Sequence, residues 1–173
     1  MIRRILMYII LILGAFMLQN NFFAAVHWID ITPNLLLIVT FEFGFLRGSM
    51  HGMIIGFFCG LLSDFFFGTN VGYYALIYTL IGYANGSVGT LFYNEFLNMP
   101  TLLCILSDLL LGLYVYITSF LIGGATNLWH YMLHVILPEI VYTMLICLLT
   151  YKPLRALDRW VEGLSKRSAK EFV

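Results

Sequence analysis

Four carboxylates, Glu42, Asp64, Asp108 and Glu139, stand within or beside runs that are otherwise almost wholly apolar. A carboxylate at the centre of a bilayer costs at least about 2.5 kcal/mol, so such residues face a bundle interior or sit near its ends. Asp64 closes its run just before Gly68, and Glu42 lies about a turn and a half from Arg47, within reach of pairing near a membrane surface. Asp108 and Glu139 are deeper, and no basic residue lies deep in any run to neutralise them. They are expected to be buried and either protonated or hydrogen-bonded to Ser, Thr or Tyr of neighbouring helices. The sharper alternative is a proton relay.

Other chemistry finds little support. His130 and His134 have the i, i+4 spacing of a metal pair, but no Glu follows His130 to make HExxH and no third ligand stands nearby. Cys59, Cys104 and Cys147 lie inside apolar runs without CxxC or Cys/His spacing, which makes them packing residues. There is no Walker loop and no nucleophile elbow. The expectation is a non-enzymatic protein with no catalytic, cofactor or metal site.

The elements that must position the acids are membrane helices. Of 173 residues, 61% are hydrophobic and only 10% charged, against roughly a quarter charged in a soluble domain. That excess of apolar surface has to meet lipid. Six spans are expected, at 5–26, 33–46, 48–67, 71–92, 101–122 and 131–151, forming an all-α integral membrane bundle. The second is short for a span of about 20 residues and must thin the bilayer or be shielded by neighbours. Thr32 is expected to cap it, with Pro33 in its first turn. One alternative merges the second and third spans into a broken hairpin. A cleaved signal peptide fits poorly, because Phe22 and Phe23 crowd the small-residue site that cleavage needs.

Charge fixes the orientation. Net charge is zero, which gives no basic footprint for nucleic acid. Arg3, Arg4, Arg47, Lys152, Arg155, Arg159, Lys166, Arg167 and Lys170 all fall on one side of an alternating six-helix path. The positive-inside rule makes that side cytoplasmic, with both termini on it. Adding or removing one helix would scatter the charges over both faces. Trp28 and Trp129 then fall at outer boundaries, where indole rings are favoured. Residues 152–173 form a basic tail in which Leu154, Leu157, Trp160, Val161 and Leu164 recur at helical spacing, as in an amphipathic helix on the inner leaflet.

Gly48, Gly52, Gly56 and Gly60 follow at intervals of four, with Asp64 at the next step. Small residues along such a ridge let another helix backbone approach closely, and packing replaces the hydrophobic drive that lipid cannot supply. Gly82, Gly86 and Gly89 suggest a second close contact on the fourth span. The ridge is expected to pack within the chain, a partner protein being the alternative.

The residues from Thr32 to Asn85 resemble the bacterial rod shape-determining MreD family. Pro33-Asn-Leu-Leu-Leu-Ile, Arg47-Gly48, the glycine ladder to Leu61-Leu-Ser-Asp64, and Tyr78-Thr-Leu-Ile-Gly82-Tyr83 carry the likeness. Leu137-Pro138 and Tyr142 match the family's last helix, with Thr143 where Asn is common. The resemblance implies a subunit of the cell-elongation machinery in the bacterial cytoplasmic membrane. It would associate with MreC and, through MreC, with MreB, RodA and a class B penicillin-binding transpeptidase. It also implies a fold similar to the S components of energy-coupling factor transporters. A vitamin-binding S component is therefore the alternative function, weakened because 5–18 offers only Gly14 and Ala15 for that family's coupling motif.

Overall fold

The computed structural model describes residues 2–23, 32–68, 71–92, 99–123 and 128–170. All regular structure among them is helical. The elements are α1 (Ile2–Met17), α2 (Leu35–Arg47), α3 (Ser49–Phe67), α4 (Tyr73–Phe92), α5 (Met99–Gly123), the single turn α6 (Leu128–Tyr131) and α7 (Leu137–Lys170). Two wider π-helical stretches interrupt this order: Leu18–Phe23 extends α1, and Met132–Ile136 joins α6 to α7. Trp28 lies outside the described residues.

Cross-contacts fix the directions of the helices. Tyr8 on α1 meets Phe43 on α2, while Gln19 beyond α1 reaches the start of α2, so these two run antiparallel. Asn85 of α4 bonds Ser107 of α5, and Tyr73 bonds Tyr114, which is a second antiparallel pair. Asn34 meets Thr143 and Glu42 meets Thr150, so α2 and α7 run the same way. The end of the bundle bearing Arg47, Lys152 and Arg155 is called lower here; the opposite end, where α2, α4 and α7 begin, is upper.

The core is largely apolar, as in a soluble protein, but large apolar side chains also cover the outside. Ile54 and Phe58 of α3, Leu76 and Leu80 of α4, and Leu102, Leu106 and Leu110 of α5 are all exposed. Asn85, Ser107, Asp108 and Thr143 are buried, none more than 3% exposed. Apolar residues outside and polar residues turned inward suit a hydrocarbon solvent, which offers polar groups no partner. Among the described residues four helical stretches are long and apolar enough to cross a membrane: Leu6–Phe23, Ser49–Phe67, Pro100–Thr118 and Leu128–Leu157. The six expected from sequence included two more. Of those, α2 has 13 residues, 11 of them buried, so neighbouring helices wrap it and shield it from lipid. The other, α4, has 20 residues but includes Asn85, Ser87 and four tyrosines, and much of this polarity is turned inward onto partners.

Two local expectations change. The cap of α2 is Asn34, not Thr32: its Oδ1 accepts from Leu37 N at 3.0 Å, and Pro33 lies ahead of the helix. An amide oxygen reaching the third helical N–H is the usual N-cap geometry. The basic tail is not separate from the last span, because α7 continues through Pro153 to Lys170. At 1.5 Å per residue its 34 residues reach roughly 51 Å, well beyond a hydrocarbon core of about 30 Å.

Candidate functional site

The glycine ridge of α3 lies on the backbone of α4. A Cβ added at Gly52 would strike Gly82, one at Gly56 would strike Tyr78, and one at Gly60 would strike Tyr74 and Ala75. Gly86 in turn faces Gly48 and Ser49, and the seam closes with a Ser49–Ser87 hydroxyl contact at 3.0 Å. Gly44 and Gly89 extend the close approach to α2, since a Cβ at Gly89 would meet Phe45 O at 2.5 Å. Helices α2, α3 and α4 thus form one tight unit. Gly48 carries the sharp reversal between α2 and α3 at φ 89°, a conformation strained for any residue with a Cβ.

Asp64 ends the ridge by capping the next helix. Its carboxylate accepts from Gly72 N at 2.9 Å, Tyr74 N at 2.7 Å and Ala75 N at 3.0 Å. A carboxylate on the unpaired N–H groups of a helix start is favourable both as hydrogen bonding and against the helix dipole. Gly72 makes the turn at φ 103°.

A buried polar network knots the upper end. Asn34 Oδ1 accepts from Leu37 N and from the Tyr78 hydroxyl at 2.8 Å, while Asn34 N donates to Thr143 Oγ1 at 3.1 Å. Gln19 Oε1 accepts from Leu35 N at 2.9 Å and from Leu36 N at 3.3 Å. The first N–H groups of α2 and that of its cap residue are therefore satisfied by the side chains of Gln19, Asn34 and Thr143. Beside this network is a cavity of about 250 Å³, lined in part by Gln19, Tyr74, Tyr78, Tyr131 and Glu139. Both π-helical stretches border it, one carrying Gln19 and the other lying between Tyr131 and Glu139. Such wide turns occur frequently at functional sites.

The remaining acids have different surroundings. Asp108, 3% exposed, has both carboxylate oxygens buried without a hydrogen-bond partner; Thr143 of α7 faces it. Glu42 is fully buried lower in the bundle, with Oε1 accepting from Thr150 Oγ1 at 3.3 Å and Oε2 buried without a partner. Among the described residues no three of His, Cys, Asp and Glu gather to hold a metal ion. The His130 and His134 rings stack at 4.1 Å on the exposed face.

Sequence reading passed over Gln19, Asn34, Ser107 and Thr150 as site residues. Polar side chains in apolar runs were the available signal, and in a membrane helix such residues have to find partners. Nothing in the sequence says which partner each one takes.

Among the described residues, the apolar exterior, the polar groups turned inward and the four long apolar helices define a helical, multi-pass membrane protein. The family model of the rod shape-determining protein MreD matches residues 1–161. The chain belongs to that family, whose role is in rod shape determination. No curated protein and no solved structure matches the chain.

Proposed function

We propose that this chain is a non-enzymatic subunit of the bacterial cell-elongation complex, scaffolding or regulating lateral peptidoglycan synthesis together with MreC. Through MreC it connects to MreB, RodA and a class B penicillin-binding transpeptidase. The observation that carries this reading is the family match over residues 1–161. The architecture supports it, since the conspicuous features are devices for holding helices in fixed positions: a glycine seam, a carboxylate cap and a satisfied polar knot. A rigid membrane platform of this kind serves assembly well.

In the same reading the chain crosses the bacterial cytoplasmic membrane six times, with α2 and α4 as the two crossings shielded by their neighbours. The lower end is then cytoplasmic, with both termini on that side, since Arg47, Lys152 and Arg155 all lie there. The partner claim is tested by mild detergent extraction of host membranes and capture of the tagged chain. MreC is expected to co-purify. Quantitative recovery of a folded chain without MreC, under conditions that retain other elongation complexes, would contradict the proposal.

A further inference from the structure

The upper cavity has a composition that selects its occupant. It holds the Glu139 carboxylate and is walled by Tyr74, Tyr78 and Tyr131, while among the described residues no Lys, Arg or His lines it. Glu139 lines the cavity together with the three tyrosines, and a second carboxylate, Asp108, lies on α5, which packs against α7. Asp108 is itself nine-tenths buried and lacks any hydrogen-bond partner, one helical turn below the cavity residues Leu111 and Gly112. The region therefore carries acid without a matching base.

The Glu139 carboxylate disfavours anions. The N–H groups at the start of α2, which would otherwise attract them, are already bonded to Gln19, Asn34 and Thr143. Hard metal cations are poorly served as well, because they require several free oxygens. Gln19 Oε1 and Asn34 Oδ1 already accept backbone or hydroxyl hydrogens. A carboxylate, Glu139, shares the cavity with Tyr74, Tyr78 and Tyr131, and a carboxylate with aromatic rings is the combination that binds organic ammonium groups through charge pairing and cation–π attraction.

We propose that this cavity is a binding site for an organic ammonium group, with Glu139 as its counter-ion and the tyrosines as its walls. The ammonium belongs either to a free amine or to a phosphatidylethanolamine headgroup. This site is independent of the partner-binding role and stands or falls by itself.

The test uses the full-length chain in phosphatidylglycerol nanodiscs, titrated with ethanolammonium chloride against sodium chloride at equal ionic strength. A second arm replaces part of the lipid with phosphatidylethanolamine. Thermal unfolding and calorimetric titration are the readouts. Removing one charge-assisted hydrogen bond from a partly buried site weakens binding about tenfold to a hundredfold. Glu139→Gln is expected to cause that weakening, and Tyr131→Leu a smaller one; the latter carries the test if the Gln variant does not fold.

Response to the free salt identifies a soluble amine, and response only to the ethanolamine lipid identifies a headgroup; in both cases the response must fall in the variants. No response in either arm, or a response equal in wild type and both variants, overturns the proposal.

Discussion

Replacing Gly52 by alanine adds one methyl group where α3 and α4 are closest. Built on the existing backbone, that carbon stands 2.8 Å from both the Gly82 carbonyl carbon and Gly44 Cα. Favourable carbon–carbon separations are about 3.5–4.0 Å, so the helices must part by roughly 1 Å. A backbone atom cannot rotate aside as a side chain does, and overpacking of this kind costs about 1–3 kcal/mol. Alanine also gains up to ~1 kcal/mol over glycine in helix propensity, which masks part of the loss. Gly14 supplies the correction, because nothing lies within 4 Å of a Cβ added there. The difference between Gly52→Ala and Gly14→Ala cancels propensity and leaves the collision, about 1–3 kcal/mol. That corresponds to roughly a 5- to 150-fold change in the unfolding equilibrium. Unfolding in mixed micelles of mild and denaturing detergent, followed by circular dichroism, measures it. Equal stability of the two variants would refute the reasoning.

Three further outcomes follow from the same packing and hydrogen bonding. Asp64→Ala removes the acceptor of three N–H groups at the start of α4 and should cost about 2–3 kcal/mol, with Asp64→Asn recovering part; unchanged unfolding of the Ala variant would count against the cap. Tyr78→Phe should cost about 1 kcal/mol, and its effect should largely vanish in an Asn34→Ala background, giving a coupling of about 1 kcal/mol in a double-mutant cycle. Thr150→Val strips Glu42 of its hydrogen-bond donor and should destabilise by about 1–3 kcal/mol, whereas Thr150→Ser should restore stability.

The elements were legible because lipid enforces long apolar runs and because spacing of four on a helix defines a ridge. Gly52, Gly56 and Gly60 could be read as a packing surface for that reason, although that they meet Gly82, Tyr78 and Ala75 required coordinates. Asp64 stood at the end of the ridge in sequence, but its task depends on the Gly72 turn bringing the next helix start onto its carboxylate. The polar knot was hidden for a different reason. Gln19 and Thr143 are 124 positions apart, yet both satisfy backbone N–H groups around the start of α2, Gln19 those of Leu35 and Leu36 and Thr143 that of Asn34. Partner choice at such range is a property of the packed bundle. The short α2 shows a hydropathy limit as well, since a wrapped helix need not be long enough to satisfy lipid by itself.

Deleting this gene from a rod-shaped host, with no second copy of the family present, tests the central claim most directly. The account predicts rounded cells, restored to rods by the wild-type chain and less completely by a Gly52→Val variant of equal abundance. Cells that stay rod-shaped after the deletion would contradict it.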